Sequence, residues 1–318
     1  MQDFFIKEKA FSTTNHGLYP PSRTPEELLK NGIVVLDKPP GPTSHQVDRW
    51  IKELLGIPLC SHGGTLDPRV SGVLVIALQN ATKLMPILLK SRKTYVTLVS
   101  FHKEVSEAQI REAVAAFTGK IKQLPPVKSA VARRVREREI YSIKIIEADS
   151  RNLLCEVECE AGTYIRRLAD DFGKLLGTGA HMQELRRVKS GIFPESEVHT
   201  LQELADAFAE WKDGNEENLR KIVLPMERVA DGMKVVIVKD SAVGALANGA
   251  PLAVQGISRA ERGIERGNLV AVLSLKGEFV CFGPALMNSE DILKKKAGLA
   301  VKTDKVLIKK GTYPEKWK

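Results

Sequence analysis

The sequence predicts an α+β protein: a mixed, mainly antiparallel sheet with flanking helices, followed by a small C-terminal β-barrel. Three observations predict it. Leu153, Cys155, Val157 and Cys159 alternate with Glu156, Glu158 and Glu160, the pattern of an antiparallel strand with one face on a core and one in water. Capped amphipathic stretches such as Thr43 to Leu55 supply helices to cover such a sheet. From about Lys234 the pattern changes to short strands separated by turns, the mark of a separate β-rich region.

A chain of 318 residues that is 43% hydrophobic can bury a full core and is long enough for two domains. A net charge of +9 and a pI near 9.3 favour a polyanionic partner. Cys60, Cys155, Cys159 and Cys281 form neither a CxxC pair nor a zinc spacing, so reduced thiols of a cytoplasmic protein are expected. The N-terminal residues do not read as a signal peptide, and no apolar run is long enough for a membrane span. Motifs for phosphate loops, dinucleotides and metals are absent, so no cofactor and no metal are expected.

Residues 1–31 hold Pro20, Pro21 and Pro25 and little periodicity, and they read as an N-terminal extension packing on the C-terminal domain. The main domain is expected over residues 32–230. It opens with a strand from Gly32 to Asp37, a Pro-Gly turn, and a helix whose Thr43 and Gln46 form a capping box and whose Val47, Ile51 and Leu55 face inward. Next comes the loop from His62 to Gly72, which carries Asp67 between glycines, locked by Pro68 ahead of the buried strand Val73 to Leu78. By itself such a carboxylate opens a turn.

Thr94 to Phe101 reads as a strand with Tyr95, Thr97, Val99 and Phe101 on one face, and Ser106 to Gly119 as a capped helix. After Leu124-Pro125-Pro126-Val127-Lys128-Ser129-Ala130, the cations Arg133, Arg134, Arg136 and Arg138 read, with Lys128, as a loop lying on phosphates, interrupted by Glu137 and Glu139. Strands follow from Tyr141 to Ala148 and from Asn152 to Glu160. A helix then starts near Tyr164, with Ile165, Leu168, Ala169 and Phe172 on its apolar face. Arg166 and Arg167 in its first turn oppose the helix dipole, so a specific anion is expected beside them. A further capped helix spans Thr200 to Trp211. Residues 231–318 form the second domain: strands Val235 to Val238, Leu269 to Leu275 and Glu278 to Phe282, a short helix Ser241 to Ala247, and a lysine-rich tail suited to RNA phosphates.

His62-Gly63-Gly64-Thr65-Leu66-Asp67-Pro68-Arg69-Val70-Ser71-Gly72 resembles the catalytic loop of the pseudouridine synthases of the TruB and dyskerin group. Other stretches match the same family in order: Lys38-Pro39-Pro40-Gly41-Pro42-Thr43-Ser44, Lys93-Thr94-Tyr95, the Pro125-Pro126 segment with Ser129-Ala130, Gly162-Thr163-Tyr164-Ile165-Arg166, and His181 to Gly191. The stretch Val238 to Ala250 resembles a PUA domain, a small RNA-binding barrel, and the whole looks most like the archaeal dyskerin-type branch. One departure stands out: Ser61-His62-Gly63-Gly64 occupies a place where the family more often has Gly-His-Ser-Gly.

The resemblance implies a pseudouridine-synthase sheet, isomerisation of uridine to pseudouridine in rRNA and possibly tRNA, and Asp67 as nucleophile, with attack at the sugar C1′ or the base C6 both open. It further implies that Tyr95 packs on the target base and that Arg166, rather than Arg167, pairs with Asp67, an opposite charge favouring the ionised carboxylate. Leu185 and His62 would line the substrate pocket, and Lys128, Arg133, Arg134, Arg136 and Arg138 would touch RNA. Partners implied are an H/ACA guide RNA, substrate RNA and small proteins of that ribonucleoprotein. A guide-independent tRNA uridine isomerase and an inactive RNA-binding scaffold are the alternatives.

Overall fold

Strand Ser71–Leu78 lies near the centre of the larger sheet, and its run of buried residues from Gly72 to Leu78 is what a strand covered on both faces requires. The computed structural model describes residues 3–124 and 134–315. Across the larger sheet the strands run Val223–Pro225, Gly32–Lys38, Ser71–Leu78, Ala180–Ser190, Lys93–Phe101, Asn152–Cys159, Arg136–Ala148, Gly119–Gln123. Neighbours pair antiparallel, except that Ser71–Leu78 and Ala180–Ser190 run parallel. This is the mixed, mainly antiparallel sheet the alternation predicts.

Helix Ser44–Leu55 covers one part of it, packing Val47, Ile51 and Leu55 on Leu74, Ile76 and Leu78. Helices Glu107–Ala116 and Ile165–Leu175 cover another, with Ile110, Ala113, Leu168 and Phe172 against Val99, Cys155 and Val157. Gly56, in the left-handed region at φ 62°, ends the first helix, where a glycine carries no Cβ penalty.

The C-terminal region forms a sheet ordered Phe4–Ile6, Ile257–Glu261, Lys234–Val238, Leu269–Leu273, Phe279–Pro284, Lys305–Val306, closed over one core with helix Asp240–Ala247 and the paired strands Leu252–Ala253 and Leu299–Val301. The N-terminal stretch is thus built into this sheet: Phe5 pairs with Ala260 and is itself buried. The two sheets also share apolar packing, because Ile33, Val35 and Val75 sit in one cluster with Met226, Val235, Phe279 and Phe282.

Three readings of the sequence are corrected. The proline-rich start contains a helix, Pro25–Asn31, because Pro25 stands at its first position, where no N–H is needed, and Thr24 with Glu27 forms a capping box. The helix after Ser106 stops at Ala116, and Gly119–Gln123 forms an edge strand. Pairing with that strand extends the expected strand at Tyr141 back to Arg136, so Arg136 and Arg138 lie on a strand and not in a loop, while Glu137 and Glu139 point to the opposite, exposed face. No helix among the described residues is long and apolar enough to cross a membrane.

One buried ion pair joins all three parts of the chain. Arg23 donates two hydrogen bonds to Glu227, at 2.6 and 2.7 Å, and Glu227 also accepts the Phe279 amide at 3.0 Å. Both side chains are about nine-tenths buried. Glu227→Ala leaves the guanidinium and that amide without an acceptor, so a loss of about 3–5 kcal/mol is expected. Thermal or urea unfolding checks it, and an unchanged midpoint contradicts it.

Candidate active site

The loop carrying Asp67 is held from below by buried polar groups. Lys38 is fully buried, and its ammonium donates to the carbonyls of Pro39, Pro68 and Val70 at 2.8, 3.2 and 2.9 Å. Burial lowers its pKa, and the nearby Asp67 opposes that shift. Ser44, also fully buried, both accepts the Leu66 amide and donates to the Leu66 carbonyl. The Gly41 amide donates to Pro68. The Lys38–Ser44 stretch therefore braces the loop.

From this support Asp67 projects into solvent with about half its side chain exposed, and Arg166, equally exposed, donates from Nη2 to Asp67 Oδ2. Arg166 is the second residue of helix Ile165–Leu175, whose first turn holds no acid of its own. The anion expected beside the two arginines is thus Asp67 for Arg166. Arg167 is occupied by Asp170 at 2.8 Å and Asp171 at 3.1 Å, within its own helix.

Tyr95 is buried on the strand beside this loop, in one apolar cluster with Leu66, Val70 and Ile165. Burial raises its hydroxyl pKa, while the Arg187 guanidinium next to it works against the rise. Leu185 stands opposite Thr97 in the neighbouring strand and packs, half-buried, on the same cluster. Asp67, Arg166, Tyr95 and Leu185 therefore converge on one region of the sheet.

His62 does not line an open pocket. It is buried beneath the loop, its Nδ1 2.6 Å from Asp48 Oδ2 and its Nε2 3.0 Å from Thr65 Oγ1, so both ring nitrogens are engaged inside the protein. Donor atoms of His45, Asp48 and His62 lie within 4.8 Å of one another, yet the direct His62–Asp48 hydrogen bond already joins two of them and the His45 ring is exposed. Lys128 and Arg133 lie outside the described residues. Arg134 is exposed; Arg136 is half-buried; Arg138 lies against Gly162 and 3.7 Å from Glu160, turned to the protein rather than to solvent.

Two buried cations were not singled out in the sequence. Arg187, 1% exposed, donates to the Val73 carbonyl at 2.6 Å and to the Gly64 carbonyl at 3.0 Å, and so ties the start of the loop to the strand that leaves it. At the loop's far end Gly72, at φ 104°, packs so closely on the Arg187 backbone that a Cβ would collide with its carbonyl. Lys93 is buried next to Gly64, and its ammonium donates to Leu88 O, Ser91 O and Ser91 Oγ at 2.7–2.9 Å. Two basic residues inside a basic chain give no sequence signal that separates them from solvated ones. At Gly63 a Cβ would lie 3.0 Å from the Leu88 Cβ, a tight contact.

Set beside known proteins, the chain is 46% identical over 318 residues to the probable tRNA pseudouridine synthase B of Methanocaldococcus jannaschii, covering all of this chain and 95% of that one. The chain belongs to the TruB family of pseudouridine synthases. The model of the TruB family pseudouridylate synthase N-terminal domain matches residues 52–108 and 102–165, and that of the tRNA pseudouridylate synthase B C-terminal domain matches 166–230. A DKCLD domain matches 1–48 and a PUA domain 234–307. The probable tRNA pseudouridine synthase B of Archaeoglobus fulgidus is 43% identical, with 100% and 98% of the two chains covered. Among solved structures, a chain of a Cbf5-Nop10-Gar1 complex superposes with a TM-score of 0.93 at 45% identity, covering 99% of this chain and 96% of that one. A chain of an H/ACA RNP bound to a substrate RNA containing 2′-deoxyuridine gives 0.93 at 43% identity, covering 100% and 98%.

Beneath the loop of this TruB-family enzyme, burial pushes Lys93 down to about 7, with the neighbouring Arg187 adding to the shift. In the unfolded chain the amine titrates at its ordinary 10.5. Between these values the unfolded state binds more protons, so stability rises with pH through that window and this group's penalty is fully present below it. Lys93→Met is expected to flatten that rise. Chemical unfolding of both proteins at about pH 7 and about pH 9.5 checks it, and equal pH slopes contradict it.

Proposed function

We propose that this pseudouridine synthase isomerises uridine in RNA with Asp67 as nucleophile, in rRNA and tRNA, under the direction of an H/ACA guide RNA. One observation carries the reading: the solvent-facing Asp67–Arg166 pair stands on a loop whose backbone is fixed by buried donors, and Tyr95 and Leu185 pack in the apolar cluster that holds the loop residues Leu66 and Val70. An exposed carboxylate in a rigid frame can approach a substrate, while its arginine sets its direction and favours the charged form. The reaction breaks the bond from the sugar C1′ to N1, turns the base, and joins C1′ to C5; C5 gives up a proton and N1 takes one. No electron is gained or lost. The uridine must leave the helical stack to reach Asp67, and the Tyr95 ring supplies an apolar wall against which the base settles.

Guide dependence is supported by the near-complete superposition on a chain of an H/ACA RNP bound to substrate RNA, and small protein partners by the superposition on a chain assembled with Nop10 and Gar1. A guide-independent tRNA activity is the second reading, favoured by relatives described as probable tRNA pseudouridine synthase B. The net charge of +9 suits either RNA. A cytoplasmic location accords with four cysteines that are all free and buried.

Asp67→Asn keeps the shape and removes the nucleophile, so turnover should fall by at least about 10³-fold while RNA binding persists. Arg166→Ala should cost roughly 10²-fold through misplacement of the carboxylate. Pseudouridine is to be quantified in rRNA and tRNA fragments with and without guide RNA. Near-wild-type turnover by Asp67→Asn refutes the nucleophile; equal rates on tRNA with and without guide refute guide dependence.

A further inference from the structure

We propose that Gln123 is a positioning residue for the Asp67–Arg166 pair, an inference that rests on the function proposed above. Gln123 ends the edge strand Gly119–Gln123 and is 2% exposed. Its side-chain amide holds both backbone polar groups of one residue: Oε1 accepts the Tyr164 amide at 3.0 Å, and Nε2 donates to the Tyr164 carbonyl at 3.1 Å. Tyr164 is the residue from which helix Ile165–Leu175 starts, in extended conformation at φ −99° and ψ 102°, and no side chain of its own caps that helix. Serine, threonine or aspartate normally fixes a helix start by accepting an early amide. Here the first turn carries Arg166 and Arg167 and no acid, so neither a local cap nor the helix dipole favours this geometry.

Gln123 supplies that restraint from another strand. The Tyr164 carbonyl that it holds also accepts the Arg167 and Leu168 amides, both at 3.1 Å, so the grip is passed directly into the first turn. Arg166 lies within that turn and reaches Asp67. Both ends of the catalytic pair are then held by buried donors and acceptors: Asp67 by Lys38, Ser44 and Arg187 through its loop, and Arg166 by Gln123 through its helix start. Both side-chain hydrogen bonds of Gln123 go to the Tyr164 backbone rather than to Asp67 or Arg166, so it acts through placement.

The test is single-turnover pseudouridine formation by the full chain, in the RNA and protein assembly that supports wild-type turnover, for Gln123→Met, Arg166→Ala and the double variant. Gln123→Met keeps the side-chain length and removes both hydrogen bonds. The expected result is a rate loss of roughly 10- to 100-fold with KM for RNA changed by less than about twofold, and no further loss when Arg166→Ala is already present. An unchanged rate, a change confined to KM, or the same fold loss in the Arg166→Ala background overturns the proposal, the last because a general structural defect acts in either background. Should Gln123→Met unfold below assay temperature, Gln123→Glu, which keeps the acceptor and loses the donor, is judged by the same three criteria. Absence of wild-type turnover would count against the proposed function and not against this role.

Discussion

The Asp67–Arg166 ion pair is the contact on which the account depends, and its surroundings explain how an exposed pair can have a fixed geometry. Surface ion pairs contribute little by themselves, about 0–1 kcal/mol, and long side chains in water do not hold one arrangement for that return. The order comes from below. Lys38 fastens Pro68 and Val70, Ser44 fastens Leu66 on both sides, and Arg187 fastens Gly64, so the residues flanking Asp67 are fixed one by one. A carboxylate placed by its neighbours' backbone needs no burial to be oriented, and it stays open to a large substrate.

The same support has an electrostatic consequence. Lys38, Lys93 and Arg187 are buried cations that donate to backbone carbonyls and, for Lys93, to the Ser91 hydroxyl. Burying charge this way is unfavourable, and the depression of Lys93 to about 7 is its direct expression. Carbonyls of the loop turned toward these cations leave the Asp67 side chain about half exposed on the solvent side. A fold that retains costly cations under one loop is consistent with a site whose geometry outweighs local stability.

Much of this was legible in the residues. Strict alternation at Leu153–Cys159 and the capping boxes at Thr43, Ser106 and Thr200 reflect local rules, and each corresponds to an element of the structure. Two arginines at a helix start pointed to an anion nearby, but that the anion for Arg166 is Asp67 came from the family resemblance, and Arg167 finds its acids within its own helix. What stayed hidden depends on distant partners. Gly119–Gln123 is recognisable as a strand only through its pairing with Arg136–Ile140. Arg136 and Arg138 looked like an RNA-facing loop because a basic run says nothing about which side of a strand it occupies. His62 looked like a pocket residue, and only Asp48, on a separate helix, draws its ring inward. The N-terminal strand Phe4–Ile6 has three residues, too short for any periodicity to show.

Continuity between the two halves also matters, since Phe279 and Phe282 of the C-terminal sheet share a cluster with Ile33 and Val75 of the larger sheet, which packs the two halves directly on each other. The most direct test of the central claim is a structure of the Asp67→Asn protein with a uridine-containing substrate RNA. The account predicts the target uridine out of the stack, its base against Tyr95 and its reacting carbon within about 3.5 Å of the residue 67 side chain, a near-attack distance. A well-ordered substrate whose uridine stays stacked, or sits beyond reach of residue 67, would contradict it.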